Sequence, residues 1–511
     1  MNKEFVSTVY NYLGNLNFGL LPKLIKSKQT PTNNNSTATD ISWNKFLQSL
    51  IALSNAEQAY YKFTYLSTKN SNLQDIYGVI LNDLRIISNI NSKFNSNQGT
   101  AVAAGGKGAT AGTSTPTKDK MTITSPTGNS TPLSMSSDDQ NPEHSFFVAL
   151  ILQTCIILQV RIDMIGVYSA ILSSINNSDV SLENIGNSLE LIPVIYKDKI
   201  THPLLLQIKS NTNYEISILR NLLRVQILLS KHIFKDCILL LFQSKIELDS
   251  WREMDQGGSS GSRSNSSSND NRWASNHIHQ WLFLFYNSLL SKSTLFFHFP
   301  LKNVEEEIGG NGQSFREISQ KNSPDYISII ENFCVKTNAL FFGVIRDCQE
   351  TVYSSIGYSF IDNQVQTGLK AFPLLFYYPM DPKQSPMQHM PNIIGLILEN
   401  RKSPTVITTP SNSGSGGSSS NSNASSTNAN VTDIYYYLDT RKVRDPQRST
   451  FVDEYLSYFI SKVDPHLFLC LIFKEVRKQK DQSINDFLKL LTNSLKNIDI
   501  FSILSQKDQN K

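Results

Sequence analysis

The run FFVALILQTCIILQV, residues 146–160, constrains the fold more than any other stretch, because it ends abruptly in RIDM, where Arg161 and Asp163 follow. A bilayer span needs about 20 apolar residues in succession, and this run is shorter and holds Gln153 and Gln159. It predicts a helix buried in a soluble core. Such a helix is apolar all round and has to be wrapped by others of similar length.

The chain supplies those partners. SWNKFLQSLIALSNAEQAYYKFTYLSTK, 42–69, places Trp43, Phe46, Leu47, Leu50, Leu53 and Ala56 at helical spacing behind a Ser42 N-cap preceded by Asp40. Residues 73–91 repeat the pattern with Ile76, Ile80, Leu84 and Ile87, and further helices are predicted over 144–176, 183–197, 204–232 and 234–254. One of these is broken at Pro193, and Pro203 stands where the next begins, at the favoured first position. With 276–299 added, the N-terminal two-thirds reads as a helical bundle.

The last third changes rhythm. A helix with Ile327, Ile330, Cys334, Phe341 and Ile345 along one side is expected over 325–350, followed by strands at 372–378, 392–400, 433–439 and 466–476. Phe451, Tyr455 and Phe459 suggest another helix, with a strand as the alternative, and a final helix covers 483–498. The fold class is therefore α then α+β: a multi-helix bundle, then a helix-flanked, mainly antiparallel sheet of the kind found in longin-, roadblock- and profilin-like domains. Four tracts rich in Ser, Thr, Asn and Gly, at 28–39, 92–143, 256–272 and 402–430, cannot bury enough apolar surface to offset ordering and are expected to be disordered. The expected division is an amphipathic helix at 1–27, a bundle at 40–299, a linker at 300–323 and an α+β domain at 324–511.

Charge and cysteine usage give no support to several function classes. A formal charge of +4 from 47 basic and 43 acidic residues is too weak and dispersed for a nucleic-acid footprint. Five cysteines, at 155, 237, 334, 348 and 470, lie inside apolar segments without close ligand spacing and read as reduced core residues. The N-terminus, with Glu4 among its apolar positions, makes a poor signal peptide. These features together predict a cytoplasmic protein whose membrane association runs through partners.

The motifs that could carry chemistry each have a structural explanation. GTAVAAGGKGAT, 99–110, lacks phosphate-loop spacing, and VEEEIGG, 304–310, reads as a solvated turn. In NHIHQWLFLFYNSLLSKSTLFFHF, 276–299, His277 and His279 diverge by about 200° on a helix, and His298 lies too far along it to share a metal. No cofactor or metal is expected. That stretch reads as an aromatic core helix, with Trp281, Phe285 and Phe296 as core residues beside Trp43 and Trp251. Tyr435, Tyr436 and Tyr437 alternate across a strand, so at least one ring should face outward as a contact surface. An enzymatic alternative would assemble Cys348, Cys470, His389, His466 and nearby acids in three dimensions.

The ordered blocks, taken together, resemble the KICSTOR subunit 2 family. The resemblance rests on SW..FL..L..L..AE..Y...TYL at 42–66, His202-Pro203 opening a helix pair that ends near Trp251, QWLFLFYNSLLSKSTLFFHF, MPNIIGLILENR at 390–401, DPHLFLCLIFKEVRK, and a terminal FL..L...LKN helix, all in the same order. It implies a non-catalytic subunit that joins kaptin, an FG-GAP-repeat subunit and a very large scaffold subunit. That assembly tethers the GATOR GTPase-activating complex to lysosomes, so that amino-acid or glucose shortage silences TOR signalling through Rag GTPases. The long polar insertions depart from the family pattern but fall between blocks, where loops tolerate length. A vesicle-trafficking adaptor is the alternative that the helix-flanked sheet alone would support.

Overall fold

The computed structural model describes residues 3–29, 38–66, 72–98, 142–175, 181–256, 276–307, 324–349, 367–380, 386–401, 434–444 and 451–505, with isolated positions at 309, 317, 320 and 321. The bundle comprises α1 (Lys3–Gly14), α2 (Leu21–Lys26), α3 (Ala38–Tyr61), α4 (Leu73–Gln98), α5 (Pro142–Ser173), α6 (Leu182–Tyr196), α7 (Leu206–Ser230), α8 (Phe234–Gln256), α9 (His277–Phe296) and α10 (His298–Glu307). The C-terminal part adds α11 (Tyr326–Thr337), β1 (Phe341–Arg346), β2 (Leu374–Tyr378), α12 (Met390–Arg401), β3 (Ile434–Arg444), β4 (Phe451–Asp464), β5 (Leu467–Phe473), α13 (Gln482–Leu495) and α14 (Ile498–Ser502). This is the expected order, α then α+β.

Helix α5 carries the opening run and is longer than that run suggested. Ser145–Ser173 is long and apolar enough by length and composition to cross a membrane, so length alone does not decide its environment. Half of that apolar window is buried in the bundle: α4 and α6 lie against the helix, Phe147 meets Phe46 of α3 edge-on with ring centroids 4.8 Å apart, and Arg161 is fully buried among the side chains of other helices. Helix α7 is the second axis, contacting α1, α6, α8 and α9. At its entry His202 accepts from Leu204 N–H through Nδ1 (3.2 Å) ahead of Pro203, which opens a short 3₁₀ turn. Pro193 does not break α6, because only the last turn lies beyond it; Lys197 N–H closes that turn on the Pro193 carbonyl (2.9 Å) while Ile192 and Tyr196 stay buried.

The sheet is antiparallel throughout, in the order β2-β1-β5-β4-β3. One face, with Phe342, Val344, Phe459, Leu469 and Leu471, joins the core that runs through the bundle. The other, with Phe341, Ile345, Tyr458, Ile460, Cys470 and Ile472, packs under α12 through Met390, Ile393 and Ile397. The bundle and the inner face of the sheet thus share one apolar core. Helix α9 is the bridge, with the start of α10: the Trp281 indole N–H donates to the Ile500 carbonyl (2.8 Å), Phe285 meets Phe501 edge-on at 5.3 Å, and His298, the first residue of α10, meets Phe376 of β2 at 5.2 Å.

Several boundaries differ from the sequence reading. The helix expected over 325–350 stops at Thr337, where Asn338 takes the left-handed conformation (φ 52°) and the chain re-enters as β1, buried at all six positions. Asparagine tolerates that conformation and ends helices as glycine does. Residues 392–400 form helix, not strand, because Met390, Ile393 and Ile397 recur at helical spacing and only that side is covered. Phe451, Tyr455 and Phe459 belong to a strand; a spacing of four is also two strand periods, so it marks one face of either element. Helix α3 begins at Ala38, which leaves Ser42 inside it rather than at its cap. Helix α4 runs to Gln98 into the tract expected from 92, and α10 takes up the start of the segment read as a linker together with the acidic 304–307. Residues 30–37, 99–141, 257–272 and 402–430 of the expected disordered tracts lie outside the described residues, as does the glycine-rich stretch 99–110.

Candidate functional site

The tyrosine run lies on β3, the outermost strand of the sheet. Tyr436 points to the inner face, where it packs on Phe459 (5.1 Å) and donates to the Arg477 carbonyl (2.7 Å). Tyr435 and Tyr437 point to the α12 face, and Tyr437 is 41% exposed beside Tyr458. Strand β3 pairs with β4 over its whole length without a bulge, whereas β5 pairs with β4 only from Ser457 onward. Residues 439–444 and 451–456 therefore project as a two-stranded ribbon. Leu456 at its base is buried under α12, but farther out apolar side chains are open to solvent: Val443 on one face, Phe451 and Tyr455 on the other.

A polar relay anchors the base of this ribbon. The Arg441 Nε donates to Asp439 (2.7 Å), the Asn392 amide donates to Asp439 (3.1 Å) and to the Tyr458 hydroxyl (3.2 Å), and that hydroxyl lies 3.1 Å from His389 Nδ1. Burial, with the Arg441 charge acting in the same sense, lowers the His389 pKa and favours neutral imidazole. The relay ties α12 to β3 and β4.

The enzymatic alternative is distributed differently by the fold. His389 joins this relay, while His466 sits in the turn before β5, its carbonyl accepting from Asp347 N–H (2.8 Å) next to Cys348. Cys470 is mid-strand under α12, and burial raises its pKa, which keeps it a thiol rather than the thiolate a nucleophile needs. Among the described residues no group of three His, Cys, Asp or Glu side chains is arranged to hold a metal ion.

The aromatic stretch over 276–299 is placed in the core. Trp281 packs edge-on against Phe63 and Tyr168, and Phe285 and Phe296 are buried. Trp251 is buried against Tyr214 and donates to Asn211 (3.2 Å), whereas Trp43 is only partly covered, tilted on Phe46. His279 is buried with its ring 3.2 Å from the Leu248 carbonyl.

Sequence reasoning missed the charged centre of the bundle. Arg161 lies 3.1 Å from Glu57 and 2.9 Å from Glu215, donates to the Tyr61 hydroxyl (2.9 Å), and has Tyr60 stacked 4.5 Å away. Tyr60 and Tyr168 donate to Glu215 (2.5 and 2.9 Å), and Tyr77 donates to Glu57 (2.8 Å). Burial raises the pKa of Glu215 against the pull of Arg161, and it raises that of Tyr60, so the tyrosines remain donors. The one signal was a lone arginine at the end of an apolar run.

Several helices expose apolar side chains. On α8 Leu239, Phe242 and Ile246 form an outward stripe next to Phe283 of α9. Over α5 a groove of about 370 Å³, lined by Leu152, Cys155, Ile156, Ile195, Arg85 and Lys199, opens beside exposed Leu191 and Val194. Patches of this kind mark protein contacts more often than they mark chemistry.

The family model described as KICSTOR complex C12orf66 like matches residues 127–408 and 448–508. The chain belongs to that family. KICSTOR subunit 2 of Xenopus laevis is 21% identical over 506 residues, covering 98% of this chain and 96% of the relative. KICSTOR subunit 2 of Danio rerio is 22% identical over 357 residues, 69% of this chain and 70% of the relative. The family match takes in α5 to α12 and β4 to α14, and it steps over β3.

Proposed function

We propose that this protein is a non-catalytic scaffold subunit of a KICSTOR-like complex, assembled with kaptin-like, FG-GAP-repeat and large scaffold subunits. In this reading it is a cytoplasmic protein that those partners recruit to the lysosomal surface. There it helps to hold the GATOR GTPase-activating complex and restrains TOR signalling when amino acids or glucose run short. The observation that carries the reading is family membership that spans both the bundle and the sheet. The architecture is compatible with it: the buried charges serve helix packing, and the open surfaces are apolar helix faces and a sheet edge.

Affinity purification of the tagged full chain from starved and fed cells, with the co-purifying proteins identified, tests this proposal. KICSTOR-like and GATOR-like subunits should be recovered, and imaging should place the protein on lysosomes during starvation. Recovery of neither set of subunits, or residence on transport vesicles instead, would overturn it.

A further inference from the structure

The outer edge of β3 is complementary to itself. From this we infer that two copies of the chain pair antiparallel through β3, with Thr440 on the two-fold axis, and so join their sheets into one. Strand β3 runs for eleven residues without proline or bulge, and among the described residues no strand lies beyond it. Exposed edges of that length are ordinarily blunted, because their unpaired backbone groups invite another strand.

The order of side chains selects the register. In an isologous pair with Thr440 opposite itself, the Asp439–Arg441 pair that each chain already makes (2.7 Å) lies against that of the second copy with Asp439 facing Arg441 both ways, so four charges of alternating sign cluster on the α12 face. Tyr437, 41% exposed, faces Val443, 45% exposed, twice on that same face. Shifting the axis to Asp439 or Arg441 places like charges directly opposite each other, which is disfavoured. Face alternation requires the axis to fall on a residue, so among these three central positions only Thr440 pairs the charges.

Support for the ribbon gives a second reason. Residues 439–444 and 451–456 stand as two strands beyond the end of β5, and an isolated two-stranded ribbon is marginal in water. In the proposed register each projecting half lies alongside the sheet-supported half of the other copy, so four strands replace two.

Sedimentation or light scattering of the purified full chain tests the proposal through charge. Wild type should be a dimer at micromolar concentration. Arg441→Asp places Asp opposite Asp and Asp439→Arg places Arg opposite Arg, so each variant should weaken the dimer by on the order of 100-fold. An equimolar mixture of the two variants should dimerise again, because each then offers the other two opposite charges. Since a misfolded variant cannot pair, recovery in the mixture also reports that both are folded. As an independent readout, Thr440→Cys should form a disulfide-linked dimer under mild oxidation while Lys442→Cys should not; all five native cysteines are buried. A monomeric wild type, variants that stay dimeric, or equal cross-linking at 440 and 442 would overturn the proposal.

Discussion

Replacing Arg161 by methionine is the sharpest test of how the bundle is held together. Arg161 and Glu215 are fully buried and Glu57 nearly so, and the guanidinium is bound by both carboxylates and by the Tyr61 hydroxyl. Methionine fills much of the same space without charge, leaving two carboxylates facing each other in a site with little water. Removing one partner of a buried ion pair costs about 3–5 kcal/mol, because the surviving charge stays buried and unpaired. Arg161→Met should therefore lose about that much in urea unfolding followed by circular dichroism. Adding Glu57→Gln and Glu215→Gln should recover most of the loss, since the tyrosine hydroxyls can still donate to the amide oxygens. The deficit of the single variant relative to wild type should shrink between pH 7 and pH 5. A carboxyl whose folded pKa is raised contributes stability that is present at low pH and lost as pH rises through that pKa. A loss under about 1 kcal/mol, or a triple variant no more stable than the single one, would refute the reasoning.

Trp281→Ala should cost about 3–5 kcal/mol from lost packing, and Trp281→Phe should cost about 1–3 kcal/mol by leaving the Ile500 carbonyl without its donor; hydrogen exchange should show α14 opening first in both. Burial lowers the pKa of His232 from 6.5 to about 3, so its contribution is present above pH 6.5 and is lost at about 1.4 kcal/mol per unit as pH falls toward 3. His232→Asn keeps a residue suited to the left-handed φ of 57° and should flatten that part of the stability–pH curve. Lys292 is buried with its ammonium on Gln226, and burial pulls its pKa well below 10.5 against the opposing charge of Asp464. Its contribution is lost as pH falls from 10.5 through the lowered value, so Lys292→Met should raise stability at neutral pH, and a fall in melting temperature would contradict this.

The helices were legible because burial on one side imprints a period that the chain carries openly: α3 to α9 fall close to where apolar spacing put them. Helix α12 and strand β4 were not legible. NIIGLIL is apolar enough to hide its period, and aromatic residues four apart satisfy helix and strand alike. The junction at Asn338 carries a usable signal, an asparagine between an amphipathic helix and a run of buried β-forming residues. In the candidate site, the tyrosine run on β3 could be seen as alternating across a strand, but that β3 forms the edge of the sheet could not. Strand order is fixed by pairings between segments far apart in sequence, as when β1 meets β5 across more than a hundred residues.

What the sequence determined by itself is the inventory: a helical bundle followed by a helix-flanked sheet, cysteines buried in apolar segments, and an order of blocks that marks the family. Those properties reside in local periodicity, composition and collinearity, and each can be read one segment at a time. Tertiary structure decided the rest. It placed Arg161 between two carboxylates from other helices, merged the bundle and the inner sheet face into one core through α9, and set β3, among the described residues, at the edge of the sheet. Each depends on which segments meet, and apolar surface is non-directional in what it will cover, so a stretch of sequence records that it must be buried without recording against what.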